Sequence, residues 1–346
     1  MLNISTASMY NKHPPHVAFK AHMAYTQVHK DDGKTKNVNN YTAFMRDFST
    51  LEFTKDYLKK YFPNGTNIAE FGCSLGQKSY SLLIVLDEIN KNKKYKITGY
   101  DFPEVIKQIN EHGKPLYSVS QYSEEEQILF PTYPEKSVFI EKPVKKETAD
   151  SIRDKFYTYF NTFIPYSYYG EGLKKHYNKL FDKNNIVVTP NKQKTKDLIQ
   201  FKSGNIKDID KILEPKKTGV VIFQNALYHI LSKSDDYDFE LSSLTNISEA
   251  EDIFKKINKV LPQNGLFVLG VLPSDHIYSF ELEDETHLKY INNKQVRVFD
   301  TSPVHIALRE NGFEPAYYCL IPSHKAYIRY RDIYLPAAWK KVRDVK

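Results

Sequence analysis

One stretch constrains this chain more than any other: NIAEFGCSLGQKSYSLLIVLDEINKNKKYKITGYD, running from Asn67 to Asp101. It reads as a buried strand over Ile68 to Phe71, a turn bracketed by glycines, an apolar helix over Lys78 to Ile89, and a second strand over Tyr95 to Asp101. Gly72 and Gly76 let the backbone turn sharply and approach a ligand that a side chain would block. The helix that follows directs its free N–H groups toward the same place. Asp101 ends the second strand, where an acid can bind ribose hydroxyls in nucleotide-binding α/β folds.

The spacing that begins at Glu70 is E-x-G-x-x-x-G and not G-x-G-x-x-G, which favours S-adenosyl-L-methionine over NAD. A glycine turn between strand and helix is also plain α/β architecture, so this stretch alone does not decide between a ligand and none. The chain is 346 residues long, enough for one large α/β domain with insertions or for two domains. A net charge of +7 is modest at this length and reads mostly as lysine on solvated faces, so no nucleic-acid partner is expected. Cys73 and Cys319 are the only cysteines, with neither a disulfide framework nor zinc spacing. No apolar span reaches membrane length and the first 45 residues carry no signal-peptide pattern, so the expectation is a cytoplasmic chain without membrane insertion.

Residues 1–39 are expected to form a polar, irregular or partly helical arm. Its His13, His16, His22 and His29 lack the i, i+4 pairing of a metal helix, and no metal site is expected. Leu51, Phe53, Tyr57, Leu58, Tyr61 and Phe62 recur at helical spacing before Pro63-Asn64-Gly65. A short helix is expected over Glu104 to His112. Residues 113–197 look like an insertion or lid within a domain spanning 40–346. There, Ile152, Phe156, Tyr159, Phe160 and Phe163 form an aromatic helical stripe, read as a packed face or lid in preference to a base-stacking surface. Leu173, Tyr177, Leu180 and Phe181 mark another helix, Ile186 to Thr189 and Leu198 to Lys202 read as strands, and Asn191 to Lys196 as a solvated turn. Gly219 to Asn225 is an uninterrupted apolar run suited to a central parallel strand. Ile247 to Leu261 follows as an amphipathic helix, Leu266 to Val271 as a buried strand and Pro303 to Glu310 as a helix. Ala316 to Ile321 and Ala326 to Leu335 read as a terminal antiparallel pair. The fold class is therefore α/β and Rossmann-like, a mostly parallel seven-stranded sheet with a terminal antiparallel hairpin, the layout of a class I methyltransferase.

Four separated segments resemble the chemotaxis-receptor methyltransferase (CheR-type) family, whose members methylate glutamate side chains. Asn40 to Arg46, NYTAFMR, is similar to that family's N-x-T-x-F-x-R segment. Gly72 to Gly76 with Ser79-Tyr80-Ser81-Leu82 resembles its G-C-S-T-G turn and helix. Phe201 to Ile206 resembles its strand ending in Asn-Leu. Phe223-Gln224-Asn225 with the L-P-x-x-G-L-F strand resembles its F-C-R-N and L-x-P-G-G-x-L-F pair. The resemblance implies S-adenosyl-L-methionine as cofactor, with Asn40, Thr42 and Arg46 at its polar end and Gly72, Cys73 and Gly76 forming the turn. It places Asp101 on the ribose, Asn205 and Ile206 at the adenine, and Gln224 and Asn225 at the methionine part. The family's acidic pair after the second glycine is Gln77-Lys78 here, and Glu70 is the candidate substitute for the lost carboxylate. The family's tyrosine four residues past the strand-end Asn is His229, with Tyr228 adjacent. The 39 residues ahead of Asn40 are too few for the family's helical N-terminal domain, which weakens receptor docking more than cofactor binding.

Carboxylate methylation needs no strong base, because a glutamate is already ionised near neutral pH. Arg46 is the candidate for orienting a carboxylate by a bidentate pair, with a structural salt bridge as its other reading. Tyr228 and His229 are candidates for holding the acceptor, with simple loop packing as the alternative for His229. The expected acceptor is a protein with accessible glutamates. The alternatives are a small-molecule acceptor and a non-catalytic binding regulator.

Overall fold

In the computed structural model the chain is described over residues 25–29, 35–39, 44–45, 47–111, 117–120, 146–163, 185–224, 226–227, 230, 247–270, 287–291, 293–321 and 333–345. Nine strands form the main sheet: β1 Thr66–Phe71, β2 Tyr95–Asp101, β3 Ile199–Ser203, β4 Thr218–Ile222, β5 Leu266–Val268, β6 His287–Ile291, β7 Lys294–Val298, β8 Phe313–Ile321 and β9 Ile333–Lys341. Among the described residues, six helices of eight residues or more accompany them: α1 Phe48–Tyr61, α2 Gln77–Leu86, α3 Pro103–Glu111, α4 Lys146–Tyr159, α5 Ile247–Val260 and α6 Pro303–Glu310.

The strands run in the order β6-β7-β9-β5-β4-β1-β2-β3, with β8 on the other side of β9. From β5 to β3 every pairing is parallel, and β9 is antiparallel to both β5 and β8. The expected mostly parallel sheet with a terminal antiparallel pair is therefore present, but the second strand of the pair is Ile333–Lys341 and overlaps the expected Ala326 to Leu335 only at 333–335, residues 326–332 lying outside the described ones. Two strands more than expected extend it. The β6–β7 hairpin joins β9 through Arg297 and Val298, opposite Ile333 and Tyr334, beyond the stretch of β9 that pairs with β5. Its residues alternate lysine and arginine with short apolar steps, a pattern too polar to announce a strand in isolation.

Period-two alternation sorts the sheet residues between two cores. Ile68, Ile97, Val220, Ile222, Leu266 and Val268 enter one, shared with α1, α2 and α4. Ala69, Phe71, Tyr100, Val221, Phe223, Phe267 and Leu269 enter the other, shared with α5 and α6. β4 is buried at all five positions, as a strand covered on both faces must be.

The region read as an insertion contributes to the first core. Ile152, Phe156 and Tyr159 lie on α4 as the stripe predicts. The helix stops at Tyr159, however, and Phe160 to Phe163 is a strand of a separate three-stranded antiparallel sheet, with 117–120 and 185–190. The stripe is broken because Phe160 turns to stack on Phe156 at 4.5 Å while its backbone pairs with Pro190. Asn191 to Lys196 is a single helical turn over Lys192–Thr195, capped by the Asn191 side chain. In the N-terminal arm, Tyr25–His29 pairs with Thr35–Asn39 as a hairpin, where an irregular or helical segment was expected. The helix expected around Leu173 to Phe181 lies outside the described residues.

Candidate functional site

The chain passes from β1 outward to β2 and β3, then returns to β4 on the other side of β1. Ligands of open α/β sheets bind at such a reversal, beyond the carboxyl ends of the strands. The glycine turn after β1, Asp101 at the end of β2 and Gln224 just after β4 all fall on that edge.

The turn is a sequence of left-handed backbones: Gly72 at φ +70°, Ser74 at +52° and Gly76 at +89°. Gly72 N–H and Cys73 N–H both donate to the Tyr100 carbonyl, at 2.9 and 3.2 Å, and Gly76 N–H donates to the Cys73 carbonyl at 2.9 Å. Asp101 grips the same turn. Its Oδ2 accepts Ser74 N–H at 2.7 Å, its Oδ1 accepts Phe102 N–H at 2.8 Å, and its carbonyl accepts Gly204 N–H at 3.0 Å. Burial outweighs those two donors and pushes the Asp101 carboxyl up to about 6. Gly76 and Gly99 have a second, packing reason. A Cβ at either would lie 2.6 or 2.7 Å from the Phe201 ring, which fills the space between turn and sheet.

α2 is buried at every position except Lys78, pressed between the sheet, α1 and α4. Its polar side chains must therefore find partners inside the protein. Ser79 Oγ donates a short bond to Glu70 Oε2, beneath the first turn of the helix. Ser81 Oγ donates to the Gln77 carbonyl at 2.7 Å and accepts Met45 N–H at 2.8 Å. Gln77, only 3% exposed, is different: among the described residues its Oε1 has no donor. Glu70 is equally buried, and burial pushes its carboxyl up to about 7, against the opposing pull of Lys78 and of the Ser79 bond, with Asp101 adding a smaller upward push.

The segment before α1 closes this edge. Met45 and Asp47 both adopt left-handed backbones, at φ 56° and 57°, which cost strain outside glycine. Three contacts hold them there. Met45 is bound to Ser81, Phe44 packs edge-on against Phe156 and Phe160 at 5.2 and 5.3 Å, and Asp47 Oδ2 accepts Gln224 Nε2 at 2.5 Å. The other amide atom of Gln224, Oε1, is buried without a donor among the described residues.

The sequence-derived candidates thus separate. Gly72, Gly76, Asp101 and Gln224 fall at the carboxyl ends of the adjacent strands β1, β2 and β4, with Glu70 under the first turn of α2. Cys73 is turned inward against Ile106 and Ile109, its thiol donating to the Ser74 carbonyl and its N–H to Tyr100, so it shapes the turn from beneath. Burial pushes that thiol's pKa up. Asn205 sits beside the Asp101 backbone but spends its Oδ1 on Lys207 N–H at 3.1 Å, and Ile206 is buried in the second core. Asn40, Thr42, Arg46, Asn225, Tyr228 and His229 lie outside the described residues. The sequence reading gave no role to Phe102, Ser79 or Asp47, and it singled out Gln77 only as a departure from the family's acidic pair. Phe102 had a local signal, an aromatic directly after the acid that ends β2, and it stands 40% exposed. The Asp47 contact joins segments 177 residues apart, whereas that of Ser79 reaches back nine residues to Glu70. Among the described residues no group of three His, Cys, Asp or Glu is placed to hold a metal ion, and no helix is long and apolar enough to cross a membrane.

The order β3-β2-β1-β4-β5-β9-β8, with β9 alone reversed against its parallel neighbour, is the layout of the class I methyltransferases. Among solved structures, the chain is similar to a SAM-dependent methyltransferase from Methanosarcina mazei, with 12% identity over 83% of this chain and 97% of that one and a TM-score of 0.37. It is also similar to an O-methyltransferase family protein from Burkholderia thailandensis, with 9% identity over 85% and 56% and a TM-score of 0.34. No protein-family model and no curated protein sequence matches the chain.

Proposed function

We propose that this chain binds S-adenosyl-L-methionine at the β1–β2–β4 edge and transfers its methyl group to a carboxylate oxygen, that of a protein glutamate. The observation that carries the cofactor half is Asp101: a carboxylate at the end of β2, clamped by Ser74 N–H onto a left-handed glycine turn at the strand-order reversal. Each Asp101 oxygen accepts one backbone N–H and has capacity for a ribose hydroxyl. Phe102, next in sequence and exposed, offers a ring face to a purine. Two buried amide oxygens that accept from no donor among the described residues, on Gln77 and Gln224, and the acid Glu70 suit the cofactor's cationic end. The residues present therefore fit the group.

When bound, the cofactor supplies an electrophilic methyl group on a sulfonium. The protein has to align an acceptor oxygen with it and keep water out. Phe44, Met45 and Asp47, fixed to α2, α4 and Gln224, set the backbone on both sides of Arg46, whose proposed role is to orient a carboxylate. Tyr228 and His229, just past β4, are proposed to hold the acceptor. The glutamate acceptor and the CheR-type assignment rest on the sequence resemblance at Asn40 to Arg46, Gly72 to Gly76 and Phe223 to Asn225.

Isothermal titration with S-adenosyl-L-methionine is expected to show binding that Asp101→Ala abolishes, and an unchanged affinity in that variant overturns the site. Incubating lysate with cofactor labelled on the methyl group then tests the acceptor. Base-labile label on protein supports a carboxylate ester, whereas label confined to small molecules replaces it with a small-molecule acceptor.

A further inference from the structure

We propose that β8 is the seam of a homodimer. Its outer edge pairs antiparallel with β8 of a second copy of this chain, and the aromatic stripe along α1 packs across the same two-fold axis.

Three strands end the main sheet with a single neighbour among the described residues: β3, β6 and β8. Such a strand presents a row of unpaired N–H and C=O groups, and folded proteins commonly guard it with lysine, proline or a bulge. β3 carries the exposed Lys202, and β6 carries Lys289 at the centre of its five residues. Pairing β6 with its own copy about that centre would set Lys289 opposite Lys289. β8 is guarded only in its first part, by Pro315 and by the register shifts between Pro315 and Tyr318. From Tyr318 to Ile321 its register with β9 is regular, opposite Pro336, Leu335, Tyr334 and Ile333. The whole run from Pro315 to Ile321, PAYYCLI, holds no charged residue. Of the three edges, β8 alone can meet its own copy without opposing like charges.

The surface beside that edge is aromatic. Tyr317 stacks on Phe53 of α1 with ring centres 4.6 Å apart, Phe53 lies 5.7 Å from Tyr57, and Tyr57 lies 4.4 Å from Tyr61. Phe53, Tyr57 and Tyr61 recur every four residues along one side of α1, next to the side that buries Leu51, Thr54 and Leu58. Phe53, Tyr61 and Tyr317 are only half-buried within one chain. Rows of partly exposed aromatic rings are typical of the centres of protein interfaces. Symmetry joins the two features. Antiparallel pairing of a strand with its own copy puts the two-fold axis normal to the sheet, so equivalent faces of the two copies lie on the same side. Both α1 helices then flank the seam on one face. A second copy is the occupant that answers both features at once, neutral edge to neutral edge and stripe to stripe.

Sedimentation equilibrium of the full chain is expected to give twice the mass of the chain. Tyr317→Lys brings two charges to the seam while its aliphatic stem still covers Phe53, and Tyr61→Lys does so at the far end of the stripe. Each is expected to weaken self-association about tenfold or more, with a melting temperature close to that of the wild type at a dilution where both are monomeric. Lys289→Ser, on the β6 edge, is expected to leave the dimer unchanged. Amide hydrogen exchange is expected to be slower in the wild type than in Tyr317→Lys at Tyr318 to Ile321, and equal in the two at Ile199–Ser203 and His287–Ile291. Loss of the dimer in either lysine variant, with exchange slowed at Tyr318 to Ile321, upholds the proposal. A single-chain mass at every concentration overturns it, whether the chain is alone or held by a different protein. So does a dimer that both lysine variants leave intact, or one whose slowed exchange falls on β3 or β6 in place of β8.

Discussion

Two carboxylates in this protein are buried to almost the same depth, Glu70 at 3% and Asp300 at 2% exposure, and they are treated in opposite ways. Asp300, between β7 and α6, is surrounded by donors. Arg309 Nη2 lies 2.7 Å from its Oδ2, Tyr318 OH donates to the same oxygen at 3.2 Å, and Lys289 and His287 approach at 3.9 and 3.6 Å. Arg309 Nη1 also donates to its backbone carbonyl at 2.6 Å. These contacts tie the β6–β7 hairpin, β8 and α6 together. Glu70 has the Ser79 hydroxyl and the nearby charge of Lys78, and it shares its surroundings with Asp101. Asp300, which joins pieces of the fold, is met by several cations. Glu70, at the carboxyl end of β1, has one nearby cation in Lys78, and burial holds its proton to about pH 7.

That contrast is sharpest if one donor is taken from each acid. Arg309→Met strands Asp300 with its nearest cation gone, and a loss of about 3 kcal/mol is expected in urea unfolding, toward the lower end for a broken buried pair because Arg309 is itself partly solvated. Ser79→Ala is expected to cost distinctly less, since Glu70 answers by keeping its proton. Comparable losses in the two variants would erase the distinction.

The next effect concerns pH. Below about pH 4.5 Glu70 is protonated folded and unfolded; between 4.5 and about 7 the folded chain keeps a proton that the unfolded chain has released. This group's contribution to stability therefore falls as pH rises through that window and is fully lost above it. Glu70→Gln is expected to be more stable than wild type at pH 8, by on the order of 3 kcal/mol, with the difference vanishing near pH 4. Denaturant midpoints at the two pH values check the sign. In the wild type, binding of a cationic ligand beside Glu70 is expected to release a proton near pH 6.5, which calorimetry in buffers of different ionisation enthalpy reads directly.

The smallest expected effect separates binding from folding. Phe102 packs little surface, so Phe102→Ala is expected to leave the melting temperature unchanged. Loss of one aromatic face from a purine is expected to weaken cofactor binding about tenfold. A fall in stability without a fall in affinity would return Phe102 to an ordinary surface role.

Much of the fold was legible because its signals are local. The strand Tyr95–Asp101 and the helix Pro103–Glu111 follow directly from apolar run length, glycine placement and period, as does Pro303–Glu310 with its Ser302 cap. Within the site, Gly72, Gly76 and Asp101 were legible for the same reason, since a turn and a strand end are properties of a few consecutive residues. The β6–β7 hairpin was not, because its alternation is weak and its pairing partner is β9, 36 residues on from Val298 to Tyr334. Nor was the break at Phe160, where helical spacing continues in the sequence while the ring is claimed by Phe44, Tyr80 and Phe156.

The sheet's alternating faces, the glycine turn and the acid at the end of β2 can be read from the linear chain, because backbone freedom and apolar period act over neighbouring residues. What the polar side chains around that turn do depends instead on how distant segments pack. Glu70 and Gln224, named in the sequence by position alone, gain their partners Ser79 and Asp47 only in the fold, and Gln77 is buried where α2 packs between the sheet and α4. Burial makes the pairing of each of these polar groups costly to leave unmade, a cost that is absent from the linear chain.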